Sequence, residues 1–271
     1  MLALSALLLD IASAHAVRAI SVNLCTDQLL LALADPASIA SVSYLARDCT
    51  ISVHCRAAAT VPINYGTAEE LIATQPDLVL GGRYTARHAI AIARSLGLKV
   101  IDLEPASSLD MIRGQIRDVA AALGQTARGE TMVAELDRSL AGAPPPANPR
   151  PVAALYQANG MTVGVGSLVD MALQIAGFDS LARKLGLQGY MYLPLETLVA
   201  YRPDLLILNQ PRARYPSLAA AVLRHPVLAE ALPPERQLVL PKALWICGGP
   251  ELGKAIALLA EARVRLKALP P

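Results

Sequence analysis

Residues 67–80 read TAEELIATQPDLVL and residues 194–207 read PLETLVAYRPDLLI. Aligned without gaps, they agree at Glu69/Glu196, Leu71/Leu198, Ala73/Ala200, Pro76/Pro203, Asp77/Asp204 and Leu78/Leu205. The chain thus carries the segment E-x-L-x-A-x-x-P-D-L twice. A glutamate opens each copy, where a carboxylate suits the positive end of a short helix. Leucine and alanine at helical spacing supply a buried side, and proline ends the helix because it cannot continue the hydrogen-bond ladder. Aspartate then leads into an apolar run, 78–80 or 205–208, that suits a strand buried on both faces.

Strand and helix alternate around each copy. In the first half, strands are expected over 19–22, 39–43, 78–80 and 99–103, with helices over 26–34, 86–96 and 109–123. In the second half, strands are expected over 152–156, 205–208 and 237–240. Helices there are expected over 168–176, 218–232 and 251–266. Alternation of this kind predicts parallel sheets covered by helices, an α/β fold. Between the halves, Thr126–Ala141 places Val133, Leu136 and Leu140 on one helical face. The proline-rich stretch GAPPPANPRP, 142–151, follows as a boundary. The expected plan is two Rossmann-like lobes, 17–124 and 143–271, joined by one long helix over 125–142.

Composition narrows the function. The chain is 54% hydrophobic and 17% charged, so apolar material suffices for packed cores and disorder is excluded. A net charge of +2 is too balanced for a nucleic-acid footprint. The opening MLALSALLLDIASAHA has a short apolar run and A-x-A sites at 12–14 and 14–16, which predicts a secretory signal over 1–16 and a periplasmic mature chain. No Lys or Arg precedes the run, and Asp10 interrupts its end. In an oxidising compartment Cys49 and Cys55, bracketing CTISVHC, are candidates for a disulfide. Cys25 and Cys247 either pair across the fold or remain thiols, packed in the core or touching ligand. The histidines (His15, His54, His88 and His225) are scattered without acidic partners, so no bare metal site is expected.

The segments AISVNLCTDQLLLALAD, PDLVLGGRYTAR, SLGLKVIDLEPASSLDMIRGQIRDVAAALG and GSLVDMALQIAG, together with the repeat, give the chain a family resemblance. It resembles the class III periplasmic substrate-binding proteins of ABC importers, which carry cobalamin, ferric siderophores and haem. The resemblance implies a ligand cleft between two lobes and small closure motions about a single bridging helix. It also implies docking of one glutamate per lobe, here Glu69 and Glu196, onto arginines of the membrane permease that works with its ATPase. A monomer that is not an enzyme and holds no cofactor is expected.

Ligands of open α/β sheets sit at the carboxyl ends of strands. The polar and aromatic residues just beyond strand ends are Asn23, Tyr44, Asn64, Tyr65, Arg83 and Tyr84 in the first half. In the second half they are Gln157, Tyr190, Tyr192 and Trp245. Six of these are aromatic in a chain that is only 4% aromatic, which points to a flat or bulky chelate against aromatic walls. The resemblance places Tyr65, Tyr190–Tyr192 and Trp245 in cleft loops. Arg83 is the candidate for a ligand carboxylate or phosphate. The glycine pairs 81–82 and 248–249 lack the spacing of a phosphate loop. Rival readings are a chelatase-like or cofactor-assembly enzyme on the same layout and a ligand-free interaction module. No nucleophile–base constellation supports the enzyme, and the aromatic loops argue against the module.

Overall fold

The computed structural model describes residues 17–142, 145, 148–209 and 218–268. The expected signal segment, with His15, lies outside the described residues. The first lobe runs β1 (Ala19–Ser21), α1 (Leu24–Leu33), β2 (Ile39–Ser43), α2 (Cys55–Ala58), β3 (Ile63–Asn64), α3 (Ala68–Thr74), β4 (Leu78–Gly82), α4 (Arg87–Ser95), β5 (Lys99–Leu103) and α5 (Leu109–Ala122). Helix α6 (Thr126–Ala141) crosses to the second lobe. There follow β6 (Val152–Tyr156), β7 (Met161–Val163), α7 (Leu168–Ile175), β8 (Asp179–Ser180), α8 (Leu181–Lys184), β9 (Tyr190–Tyr192), α9 (Leu195–Tyr201), β10 (Leu205–Asn209), α10 (Pro226–Ala231), β11 (Gln237–Leu240) and α11 (Leu252–Leu266).

The first sheet has the order β3-β2-β1-β4-β5 and the second β11-β10-β6-β8, all neighbours parallel. The repeat explains why the two lobes share a plan. In each copy the helix closes on a left-handed residue, Gln75 (φ 46°) or Arg202 (φ 48°), followed by the proline. The aspartate then fastens the start of the lobe's first strand. Asp77 accepts from the Arg18 backbone N–H at 2.8 Å, and Asp204 from that of Val152 at 2.7 Å.

Strand side chains alternate between two cores. Ala19, Leu78, Leu80, Ala153, Leu155, Leu205 and Ile207 point inward and share one hydrophobic cluster with α1, α5, α6, α7 and α11. Ile20 and Val79 face outward beneath α3 and α4. Ala154, Tyr156 and Leu206 face outward beneath α8, α9 and α10. The inward cluster draws on both sheets, so the two lobes are joined by a common core as well as by α6.

Two departures from sequence expectation concern elements of the second lobe. β7 and β9 form an antiparallel ribbon, so Tyr190–Tyr192 is a strand rather than a loop. The stretch expected as helix over 218–232 divides into a 3-10 segment, Leu218–Arg224, and the short α10. Pro226 begins the second piece, and His225 Nδ1 accepts from the Val227 N–H at 3.3 Å.

Candidate functional site

Two adjoining chambers of about 160 Å³ each open at the carboxyl ends of the strands, the first between the lobes and the second within the second lobe beside it. Asn23, Cys25, Arg83, Tyr84, Glu104, Gln115 and Cys247 line the first. Gln157, Tyr190, Asn209, Lys242 and Trp245 line the second. Leu168 and Ile246 belong to both. A separate groove of about 710 Å³ runs along α6, but its walls mix His54, Arg128, Glu135, Glu251 and Lys254 and do not include a strand end.

Asn23 stands where β1 turns into α1. Its Oδ1 caps the helix by accepting from the N–H groups of Cys25 and Thr26, and its amide donates to Thr85 Oγ1 at 2.7 Å. Gly82 allows this approach, since a Cβ there would sit 2.7 Å from the Asn23 amide nitrogen. Arg83 is 60% exposed and pairs with Glu104 at 2.5 Å. An exposed pair of this kind contributes about 0–1 kcal/mol, so an incoming anion can recruit Arg83 at small cost.

Tyr44 and Tyr65 stack at 5.2 Å between ring centres with an interplanar angle of 24°. Beneath them lies a buried polar network. Asp27 is fully buried; its carboxylate accepts from the Ser43 N–H at 2.9 Å and pairs with the Ser43 hydroxyl at 2.5 Å. Burial pushes the Asp27 carboxyl up to about 7, against the opposing hydrogen bonds from Ser21 and Ser43. Burial likewise holds Tyr156 protonated, raised to about 12, with Tyr192 and Glu196 adding to the effect.

The ten sequence-predicted residues divide into groups. Asn23, Arg83 and Tyr84 meet in the first chamber; Gln157, Tyr190 and Trp245 meet in the second. Tyr44, Tyr65 and Tyr192 line neither chamber but stand exposed, the first two just beyond the ends of β2 and β3 and the third on the β7–β9 ribbon. Asn64 is 2% exposed and engaged: its amide donates to the Ser21 carbonyl and to Ser41 Oγ, and its Oδ1 accepts from the Gly66 N–H. It braces strand ends rather than facing a ligand. Trp245, expected in an open loop, is 2% exposed. The 3-10 turn Lys242–Leu244 folds it under, so its ring belongs to the common core as well as to the chamber wall. Both cysteine pairs are disulfides, Cys49–Cys55 within a loop and Cys25–Cys247 between the lobes.

Glu69 and Glu196 are exposed in the first turns of α3 and α9. The cap of α3 is made by Thr67 and Glu70, which leaves Glu69 out of the capping box.

A two-lobed α/β body with its cleft at the strand ends is matched by comparison with known proteins. The family model for periplasmic binding proteins matches residues 20–232. The chain belongs to this family. The haem-binding protein RhuT from Roseiflexus sp. RS-1, in its apo form, aligns with a TM-score of 0.75 and 23% identity, covering 92% of this chain and 99% of that one. An ABC-type Fe3+-hydroxamate transport protein from Saccharomonospora viridis aligns with a TM-score of 0.70 and 20% identity over 90% and 92%. At these identities the likeness concerns the fold. A cobalamin-binding protein of Halobacterium salinarum is 25% identical over 160 residues. That match takes in 57% of this chain and 43% of the relative, so the chain spans less than half the length of that relative.

Sequence reasoning missed several residues of this periplasmic binding protein's cleft. Asn209 ends β10 and its buried Oδ1 has no hydrogen-bond partner among the described residues. Asn209 directly follows the run expected as strand, 205–208, so the strand-end rule reaches it and position alone could have found it. Glu104 likewise follows the expected strand 99–103 directly, whereas Gln115, whose side-chain amide donates to the Glu104 carbonyl at 2.7 Å, carries no sequence signal of its own. Among the described residues no group of His, Cys, Asp and Glu is arranged to hold a metal ion, and no helix is long and apolar enough to cross a membrane.

Proposed function

We propose that this chain is the exported substrate-binding component of an ABC importer, capturing a metal chelate between its lobes and delivering it to the permease. The observation that carries the reading is the tyrosine rim. Tyr44, Tyr65, Tyr84, Tyr190 and Tyr192 are between 49% and 74% exposed, all beyond strand ends or on the ribbon that extends from β6. Each chamber is smaller than the roughly 300 Å³ at which ligand pockets begin, so a bulky ligand would rest on the rim and send only arms inside. Phenol faces suit a large flat or rounded chelate, and Arg83 suits its acidic groups. A metal chelate, ferric siderophore first and cobalamin/corrinoid or haem next, fits this chemistry. Haem, Fe3+-hydroxamate and cobalamin are what the similar proteins are named for. Capture without conversion fits membership of a family of binding proteins. Two disulfides fit an oxidising compartment outside the cytoplasm. We take residues 17–124 and 143–271 as the lobes and Glu69 and Glu196 as the permease contacts.

Isothermal titration with ferric hydroxamate, ferric catecholate, haemin and cyanocobalamin tests the reading. At least one is expected to bind at micromolar concentration or tighter, and silence across the four sinks it.

A further inference from the structure

We propose that the Cys25–Cys247 disulfide is a second covalent tether between the lobes, fixing the width of the cleft floor so that ligand meets a preformed seat. Cys25 lies in the first turn of α1, directly beyond β1 of the first lobe. Cys247 lies between β11 and α11 of the second lobe, 222 residues away in sequence, with a Cα–Cα distance of 5.3 Å. Both residues line the first chamber beside Asn23 and Arg83. The bridge therefore joins the lobes at the ligand's own floor.

The surroundings of the bridge reinforce it. Leu24, Ile51 and Ile246 pack around Cys247 in a small apolar cluster. The next residue, Gly248, lies so close to the first lobe that a Cβ would come within 2.6 Å of Ile112 Cγ1 on α5. On the far side, α6 meets both lobes. Gly129 approaches Ala120 of α5, and Gly253 of α11 approaches Ser139 of α6; in each case an added Cβ would fall at 2.5 Å or less. With α6 as the sole covalent link, only the non-covalent packing of the common core would resist opening of the lobes at the floor. With a second covalent link, relative motion is confined to rotation about the line joining the two attachments, and separation at the floor is forbidden.

This tether does not depend on which ligand is bound; only its effect on affinity rests on the chelate-capture reading. Nitroxides carried on bioorthogonal side chains at His88 and Gln188, exposed positions on opposite lobes, report lobe separation in ligand-free protein by pulsed electron paramagnetic resonance. The native chain is expected to give one narrow distance distribution. The Cys25→Ser/Cys247→Ser variant is expected to add a population at longer distance, whereas Cys49→Ser/Cys55→Ser, which opens only a local loop, should match the native chain. An unchanged narrow distribution in the first variant overturns the tether. Should that variant fail to fold, native protein reduced after folding is measured instead, with circular dichroism alongside. Broadening with helix content retained supports the tether, and collapse of secondary structure on reduction overturns it by making the bridge a requirement of the fold. With haemin as probe, affinity is expected to fall roughly tenfold on loss of the interlobe bridge, as preorganisation is lost. Equal affinity overturns the preformed seat. Absence of haemin binding to the native chain counts against haem in the chelate reading and leaves the distance result standing.

Discussion

Asp27 shows how one residue serves both fold and site. It is fully buried beneath the strand end that carries Tyr44, and its two bonds to Ser43 hold that end in place. Burial raises its folded pKa from 3.8 to about 7. A raised carboxyl binds a proton in the folded chain that the unfolded chain has already released. Its stabilising contribution is therefore complete below about pH 4 and is lost as pH rises toward 7. Replacing Asp27 by Asn removes that titration while keeping the shape and a donor for Ser43 Oγ. Urea denaturation at pH 4.5, 5.5, 6.5 and 7.5 should show Asp27→Asn gaining on the native chain as pH rises, by up to a few kcal/mol. A stability difference independent of pH would remove Asp27 as the titrating group.

At the scale of elements, the close packing of α6 against α11 makes a prediction whose sign is not obvious. Gly253 lies in the first turn of α11, where alanine would be favoured by at most the about 1 kcal/mol of a helix interior on propensity alone. The added Cβ would fall 2.3 Å from Ser139 Cβ and 2.8 Å from the Ser139 carbonyl oxygen, so the helices must part. Overpacking of this kind costs about 1–3 kcal/mol. Gly253→Ala is therefore expected to lower the urea midpoint, and a higher midpoint would show that α11 shifts freely on α6. Helix α6 itself was legible in sequence to the residue, because its apolar positions recur on one face and a proline-rich stretch stops it. The repeat was legible too, because its left-handed close, proline and aspartate serve the same local purpose in both lobes. The β7–β9 ribbon was not, because three-residue strands leave no periodic signal that sets Tyr190 and Tyr192 apart from a loop. Trp245 was misplaced for a similar reason: nothing local tells a loop that projects from one that folds under. The Cys25–Cys247 pairing depends on bringing together residues 222 apart, which only the assembled fold decides.

At the scale of the whole molecule, the repeat leaves one charged feature that folding does not use; its Ala73 and Ala200, expected on the buried side, are exposed in both copies. Leu71, Leu198, Leu78 and Leu205 are buried, and Asp77 and Asp204 fasten their strands. Glu69 and Glu196 remain, exposed on equivalent first turns, one on each lobe. The N-terminal end of a helix favours such a carboxylate only modestly, about 0.3–1 kcal/mol on a surface. Two carboxylates in matching positions on two lobes suit a partner that is itself two-fold, with a cationic group on each half. Charge complementarity of this kind sets encounter rate and register more than ligand affinity. Reversing both charges, Glu69→Arg with Glu196→Arg, should therefore leave chelate affinity within a factor of about two, since neither residue lines the chambers. Uptake through the cognate permease in cells or proteoliposomes should fall by more than tenfold, a loss above about 1.4 kcal/mol in the productive complex. Each single reversal should give an intermediate loss, and raising ionic strength should weaken uptake by the native chain more than by the double variant, whose attraction is already gone. Undiminished uptake by the double variant would leave the two glutamates with no role beyond their helix ends.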